Sequence, residues 1–409
     1  MTPHVPKPRG GLTDKRLALM VLVTAVTLSA LTLMVGFNPP DADIKYDWLV
    51  TREATRGDGD AYQDVLQLGR DEGVNVVVHA GVGVDEFTGH PRPPGAIVLQ
   101  LPLVLIPFEL LFAASIFLST VATAVVALVV DRKRNPKAGL ITVGSLLLAA
   151  PVWINFRYAG QAAVVAALAL VGWLLVRDRD GVLGGVLIGL ASVLKLFPAL
   201  LIVPLLLTKR WRASLSLVGT GVVLNLIGLA LPGVSAGAAL RELAVATNTW
   251  VTLPSNGSFV KQFVSAGLPS SVAQVVAVAV VALLLAVLIR QSRLAGRRIG
   301  VIPFSWLAAG LLVLPLSWIS YDLVLAPAVI LMVMSPERRY RLLGLVGIGL
   351  WVTPTIIWTH GTLLEAPVSL WVRVLVLVIS FQVLDENEAW SLRADSSQTD
   401  AYALNLGSP

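Results

Sequence analysis

The sequence predicts an all-α, polytopic membrane protein of about twelve transmembrane helices, with an extracytoplasmic first loop that holds short helices of its own. Three observations carry that reading. The chain of 409 residues is 56% hydrophobic, with a mean hydropathy of +0.79. Its charged residues amount to 14%, against about 25% in soluble domains. Apolar runs alternate along the chain with short basic clusters.

A helix needs about 20 apolar residues to cross the hydrocarbon core. Spans are expected near Leu17–Gly36, Leu110–Val130, Leu140–Ile154, Ala162–Val176, Gly181–Leu207, Ala213–Leu231, Val272–Ile289, Val301–Leu316, Leu323–Met334, Leu342–Trp358 and Pro367–Leu384. The first has no small-residue cleavage site after it and reads as a retained helix. Residues 1–16 are then a cytoplasmic N-terminus and residues 17–384 one integral membrane domain. Residues 37–95 form the first extracytoplasmic loop, and residues 385–409 a polar, disordered cytoplasmic tail. Pro93–Pro107 is apolar but broken by Pro94, Gly95, Pro102 and Pro107, which suits an interfacial or re-entrant helix better than a crossing.

Basic clusters fall at Lys7/Arg9/Lys15/Arg16, Arg132/Lys133/Arg134/Lys137, Arg177/Arg179, Lys209/Arg210/Arg212, Arg290/Arg293/Arg297/Arg298 and Arg338/Arg339/Arg341. The positive-inside rule assigns them all to the cytoplasm. Gly181–Leu207 has such a cluster on each side, which one crossing cannot satisfy. Lys195 and Pro198 interrupt this run near its middle, so the segment is expected to be two short helices that meet at the outer face and return. Lys195 then sits at the tip of a hairpin.

Several function classes are excluded. The net charge of +6 comes from these orienting clusters and does not point to nucleic acid. There is no cysteine, hence no disulfide, thiol catalysis or thiolate metal site. The four histidines form no pair at helical metal-ligand spacing, and no metal site is expected. Neither a phosphate-binding glycine loop nor a dinucleotide fingerprint is present, so no cytoplasmic nucleotide-sugar site is expected.

The remaining polar residues collect on the predicted outer side. Asp43 and Asp47 follow the first span and, if helical, share one face, where either could be a general base or a solvated loop acid. Lys195 is a cation in an apolar hairpin, suited to a lipid phosphate or to snorkelling towards the interface. His90 and Arg92 lie in a stiff His-Pro-Arg-Pro-Pro-Gly run that could clamp phosphate or sugar, or form an interfacial turn. Arg157 and Gln161 stand where two helices meet, as substrate contacts or as interhelical hydrogen-bonding groups. Asn256 and Ser258 form Asn-Gly-Ser, candidate donor-phosphate or substrate contacts whose pattern is also that of a glycosylation acceptor. Tyr321 and Asp322 are further candidate substrate contacts and also open a helix, where an aromatic anchor and an N-terminal acid are both favoured.

Taken in order, these pieces resemble the GT-C glycosyltransferases and, within them, glycosyltransferase family 87. The likeness rests on the acid after the first span, Gly-Asp-Ala-Tyr at Gly59–Tyr62, Pro-Pro-Gly at Pro93–Gly95 and Gly160-Gln161. It continues with Leu-Lys-Leu-Phe-Pro at Leu194–Pro198, Lys-Arg-Trp-Arg at Lys209–Arg212, Asn-Gly-Ser at Asn256–Ser258 and Pro-Leu-Ser-Trp at Pro315–Trp318. The resemblance implies an enzyme that moves a sugar from a polyprenyl-phosphate donor to a cell-envelope glycan or glycolipid on the outer face, by inversion. The sugar is mannose, another hexose or arabinofuranose. Membrane lipids, the donor and the acceptor are the implied partners, and no cofactor is required. It makes a first-loop acid the base, with Asp47 favoured over Asp43, and Lys195 a donor-phosphate contact. A transporter or lipid flippase is the competing class, and it lacks the second broken helix that paired repeats lead one to expect. An inactive scaffold of a wall-synthesis complex is a third.

Overall fold

The computed structural model describes residues 11–39, 42–57, 59–62, 65–74, 92–131, 149–178, 180–250, 256–295, 302–314, 317–333, 335, 337–356 and 370–377. Every regular element among them is helical. His90, the tail at 385–409 and the first part of the expected span Leu140–Ile154 lie outside the described residues.

The chain enters through α1 (Gly11–Met34), which packs along α5 (Leu111–Asp131), where Ser29 Oγ donates to the Ala113 carbonyl at 3.0 Å. The first loop contributes α2 (Asp43–Arg56) and α3 (Val65–Asp71). Next comes α4 (Pro94–Gln100), only seven residues long, with Pro94 at its first turn, where a missing N–H costs nothing. Two 3-10 turns, Leu101–Leu105 and Phe108–Leu110, follow at Pro102 and Pro107. The Pro93–Pro107 stretch is thus not one continuous helix, and its prolines are the reason.

Four helices form the scaffold of the site: α6 (Ala150–Arg157), α7 (Ala162–Asp178), α8 (Val182–Leu194) and, beyond the break, α9 (Ile202–Leu207). At Lys195 the backbone becomes extended (φ −146°, ψ 128°), and a 3-10 turn over Phe197–Leu201 leads into α9. Pro198 has no N–H to give the Leu194 carbonyl, so the helix cannot run through. The next helix is α10 (Trp211–Leu229). Its first amides are capped by Asp180: Arg212 N reaches Oδ2 at 3.2 Å and Ala213 N reaches Oδ1 at 3.0 Å. Arg210 Nη2 also donates to the Arg177 carbonyl at 2.8 Å. The segments at 177–180 and 210–213 therefore share one end of the bundle, with Lys195 at the other. The two-armed hairpin expected from the charges is the observed path.

Small residues let these helices approach closely. A side chain at Gly184 would meet the Gly172 carbonyl of α7 at 2.6 Å, and one at Gly185 would strike Ala213 O and Ser216 Oγ of α10. Lipid is as apolar as leucine, so contact of this kind holds membrane helices together where burial from water cannot.

Beyond α10 come α11 (Ala236–Trp250) and α12 (Phe259–Ser265), neither of them among the expected spans, then α13 (Ser270–Ala295) and α14 (Ile302–Val313). A 3-10 turn over Ile319–Leu325 precedes α15 (Ala326–Val333), and α16 (Arg338–Ile356) packs back on it. A last helix, α17, covers residues 370–377. Among the described residues three helices are long and apolar enough to cross a bilayer unaided: Phe108–Val126, Trp211–Leu229 and Ser270–Arg290. The predicted count of twelve is not confirmed: other apolar helices among the described residues, such as Ala162–Arg177, Val182–Leu194 and Pro303–Leu312, are shorter.

Two apolar clusters hold the architecture. The larger gathers α7, α8, α14, α15 and the 197–201 turn around Trp173 and Trp306. The smaller lies beneath the first loop, where Tyr46, Trp48, Leu49 and Tyr62 pack on Ile97 and Phe112.

Candidate active site

The Lys195 end of the hairpin is where the first loop docks. Helix α2 is fastened by its first residue, as Asp43 N donates to the Tyr158 carbonyl at 2.7 Å. Gly57, in the left-handed region at φ 73°, ends the helix, and Gly233 N then reaches the Ala54 carbonyl at 3.3 Å. Ala159, with φ 49°, turns the chain between α6 and α7. Ser115 Oγ holds its carbonyl at 3.0 Å, which brings Gly160 and Gln161 against α2.

Asp47 is fully buried. Arg92 Nε donates to its Oδ1 at 2.9 Å, and Arg92 Nη2 and Gln161 Nε2 donate to its Oδ2 at 3.3 and 2.7 Å. The fork of the guanidinium matches the carboxylate, and charge-assisted bonds of this kind are about twice as strong as neutral ones. Arg92 is itself held from behind, because the Tyr62 hydroxyl donates to its carbonyl at 2.9 Å. Asp60 Oδ1 in turn accepts from Tyr62 N at 2.9 Å. Burial, and secondarily the charge of Asp60, push the Tyr62 phenol above its ordinary range and keep it a donor.

Asp43 lies one helical turn before Asp47 and differs in every respect. It is half-buried, and among the described residues its carboxylate has no hydrogen-bond or ion-pair partner. Its Oδ2 would lie 3.7 Å from a side chain at Gly160, so glycine there keeps space beside the acid. The charges of Asp43, Asp47 and Arg92 all act on Lys195 and on Tyr321. Lys195 Nζ donates to the Tyr321 hydroxyl at 2.9 Å and stands 4.8 Å from the ring centroid. The Tyr321 ring stacks on Phe197 with centroids 5.6 Å apart. One electrostatic unit thus holds Asp43, Asp47, Arg92, Gln161, Lys195 and Tyr321.

The other predicted residues are placed elsewhere. Arg157 lies over the ring of Tyr158, 5.2 Å from its centroid. Asn256 and Ser258 are fully buried. Asn256 Oδ1 accepts from Ser258 N and from Ser317 N, both at 3.1 Å, while Ser258 Oγ caps α12 by accepting from Lys261 N at 3.2 Å. A side chain enclosed in this way is no glycosylation acceptor. Asp322 is fully buried and paired with Arg373, Nε to Oδ1 at 2.7 Å. Among the described residues no three of His, Asp and Glu gather into a group that could hold a metal ion.

Tyr62 and Arg373 make buried contacts in this region that the sequence reading did not single out. Arg373 had a signal, as a cation inside the apolar run Pro367–Leu384. Tyr62 had only its place in Gly-Asp-Ala-Tyr.

Residues 92–315 match the model of glycosyltransferase family 87. The chain belongs to that family. It is accordingly a glycosyltransferase, with membrane helices built into its fold. No curated protein and no solved structure matched the chain. The family 87 match takes in Arg92, Arg157, Gln161, Lys195, Asn256 and Ser258; Asp43 and Asp47 precede it, and Tyr321 and Asp322 follow it. The hairpin lysine and the arginine of the Pro-rich run thus come from the part shared with family 87, and the structure places them against the first-loop acids.

Proposed function

We propose that this family 87 enzyme transfers a sugar from a polyprenyl-phosphate donor to a hydroxyl of a cell-envelope glycan or glycolipid, at the extracytoplasmic face and with inversion. The observation that carries the mechanism is the contrast between the two first-loop acids. Asp47, favoured from the sequence, has both oxygens committed to Arg92 and Gln161. Asp43 has a carboxylate with no such commitment, within electrostatic reach of Lys195. Asp43 is therefore the general base, and Asp47 holds Arg92.

In the transfer step the acceptor hydroxyl loses its proton to the Asp43 carboxylate as its oxygen bonds to the anomeric carbon. The bond from that carbon to the phosphate oxygen breaks, and polyprenyl phosphate leaves with the electron pair. The Lys195 ammonium, oriented by Tyr321, meets the charge that grows on the leaving phosphate, and Arg92 adds to the field. His90 belongs to the same Pro-rich run and is assigned to the donor side with it.

The sidedness has separate support. Arg177, Arg210 and Arg212 share the end of the hairpin opposite Lys195. The positive-inside rule makes that end cytoplasmic and the Asp43 end extracytoplasmic. A donor carried by the membrane also fits a chain without a nucleotide-binding loop.

The experiment is direct. Membranes carrying the protein are incubated with polyprenyl-phosphate mannose or arabinofuranose labelled in the sugar, and label is followed into acceptor lipid or glycan. One of the labels should move, and Asp43→Asn should stop it. Transfer at a rate near wild type by Asp43→Asn overturns the assignment of the base. Movement of donor lipid between leaflets without sugar transfer would favour the flippase.

A further inference from the structure

Outside the reacting centre, the guanidinium of Arg373, on α17, makes five hydrogen bonds among the described residues. It is fully buried. Its Nε donates to Asp322 Oδ1 at 2.7 Å, and Nη1 donates to the carbonyls of Gly257 at 2.8 Å and Leu311 at 3.1 Å. Nη2 donates to the carbonyls of Trp318 at 3.1 Å and Ser317 at 3.4 Å. One guanidinium therefore ties together the end of α14, the Asn256–Gly257 segment and the Ser317–Asp322 segment. The same segments are also tied directly, through Gly257 N to the Ser317 carbonyl at 2.8 Å and the Asn256–Trp318 bridge.

Tyr321 is the neighbour of Asp322 in the 3-10 turn Ile319–Leu325. Successive side chains of a 3-10 helix project about 120° apart, so an acid drawn inward to Arg373 leaves Tyr321 to project another way, and its hydroxyl receives Lys195. A buried arginine with one carboxylate and four carbonyls is fixed in position, because moving it would strand a charge and several acceptors without partners.

We propose that Arg373 is a positioning residue for glycosyl transfer: through Asp322 it fixes the turn that aims Tyr321, and through Tyr321 it holds Lys195 in place for the donor phosphate. The inference rests on the reading of Lys195 and Tyr321 as the donor side of the site. It also accounts for Asn256, Ser317 and Asp322, which serve the fixed turn and touch no substrate.

The test is a double-mutant cycle on the full chain in detergent. The variants are Arg373→Lys, Tyr321→Phe and the pair together, with Lys195→Met as reference. Binding of polyprenyl monophosphate is measured for each, together with KM and kcat for whichever labelled polyprenyl-phosphate sugar is turned over. Arg373→Lys keeps the charge and loses the fork. It should weaken polyprenyl monophosphate binding about tenfold and lower kcat/KM for the donor by at least as much, kcat falling with it because Lys195 meets charge that grows on the phosphate in the transition state. The paired variant should be no worse than the more impaired single, as residues on one line of action behave. Penalties that multiply, with Tyr321→Phe and Lys195→Met both impaired, overturn the positioning role alone. Unchanged lipid binding and donor KM in Tyr321→Phe and Lys195→Met overturn the donor-side reading, and the inference with it. Should Arg373→Lys not fold, Asp322→Asn takes its place in the cycle, since it keeps an acceptor for Nε and removes the charge.

Discussion

Arg92 grips Asp47 through two nitrogens, at 2.9 and 3.3 Å, while Asp43 on the same face of α2 has no comparable bond among the described residues. The two acids are alike in sequence and one turn apart, yet their surroundings assign them opposite duties. One fixes a cation in the interior, and the other keeps an uncommitted carboxylate, which is the ground for proposing it as the base.

The first prediction follows from that division. Asp43→Asn should lower turnover by about 10²–10⁴-fold, the usual contribution of a general base, with the thermal midpoint of the detergent-solubilised protein held. Asp47→Asn strands a buried guanidinium without its counter-charge and should cost about 3–5 kcal/mol of stability. Thermal unfolding together with single-turnover transfer reads both effects. Equal stability of the two variants would show that Asp47 does not anchor Arg92.

Tyr62 supplies a pH dependence. Its folded phenol titrates above the unfolded value of about 10, because of burial and then Asp60. A group raised in this way contributes stability that is present below the unfolded value and is lost as pH rises beyond it towards the folded one. Above about pH 10, wild type should therefore lose stability more steeply than Tyr62→Phe. At neutral pH the same variant should be less stable by about 1–3 kcal/mol, since the buried Arg92 carbonyl loses its donor. Parallel stability curves across that range would count against it.

Packing of α8 offers a test that does not involve the chemistry. Gly185→Ala places a methyl group against the Ala213 carbonyl and Ser216 Oγ, and should cost about 1–3 kcal/mol. Gly219→Ala, on α10 with nothing within 4 Å, should be neutral or slightly stabilising. A comparison of thermal midpoints suffices, and equal behaviour of the two variants would deny the close approach of α8 and α10.

The absence of cysteine makes the hairpin directly testable. Leu196 and Arg212 are both exposed and stand at opposite ends of its arms. In intact cells an impermeant maleimide should label Leu196→Cys and leave Arg212→Cys unlabelled until the membrane is opened. Labelling of both, or of Arg212→Cys alone, would reverse the proposed sidedness or dissolve the hairpin.

Much of the architecture was legible in the chain. Arginines on both sides of Gly181–Leu207, with Lys195 and Pro198 between them, were enough to foretell the return, because charge placement and a missing N–H act locally. The first-loop acids, Lys195 and Gln161 were also marked, and the structure brings them into one cluster of hydrogen bonds and charge interactions. The choice between Asp43 and Asp47 was not legible, since helical spacing gives both the same face. Asn256 and Asp322 read as substrate contacts because polar residues near an expected membrane surface suggest function; nothing in their neighbourhood announced Arg373, 51 residues beyond Asp322.

The sequence by itself determined that this chain carries membrane-type helices, how its hairpin turns and which polar residues gather at one end, for these follow from apolar runs, prolines and cations read in order. Only the tertiary structure decided which acid Arg92 holds and which keeps an uncommitted carboxylate. Asp47 meets Arg92 across 45 residues and Lys195 meets Tyr321 across 126. Contacts of that range arise when helices pack, and no local pattern encodes them.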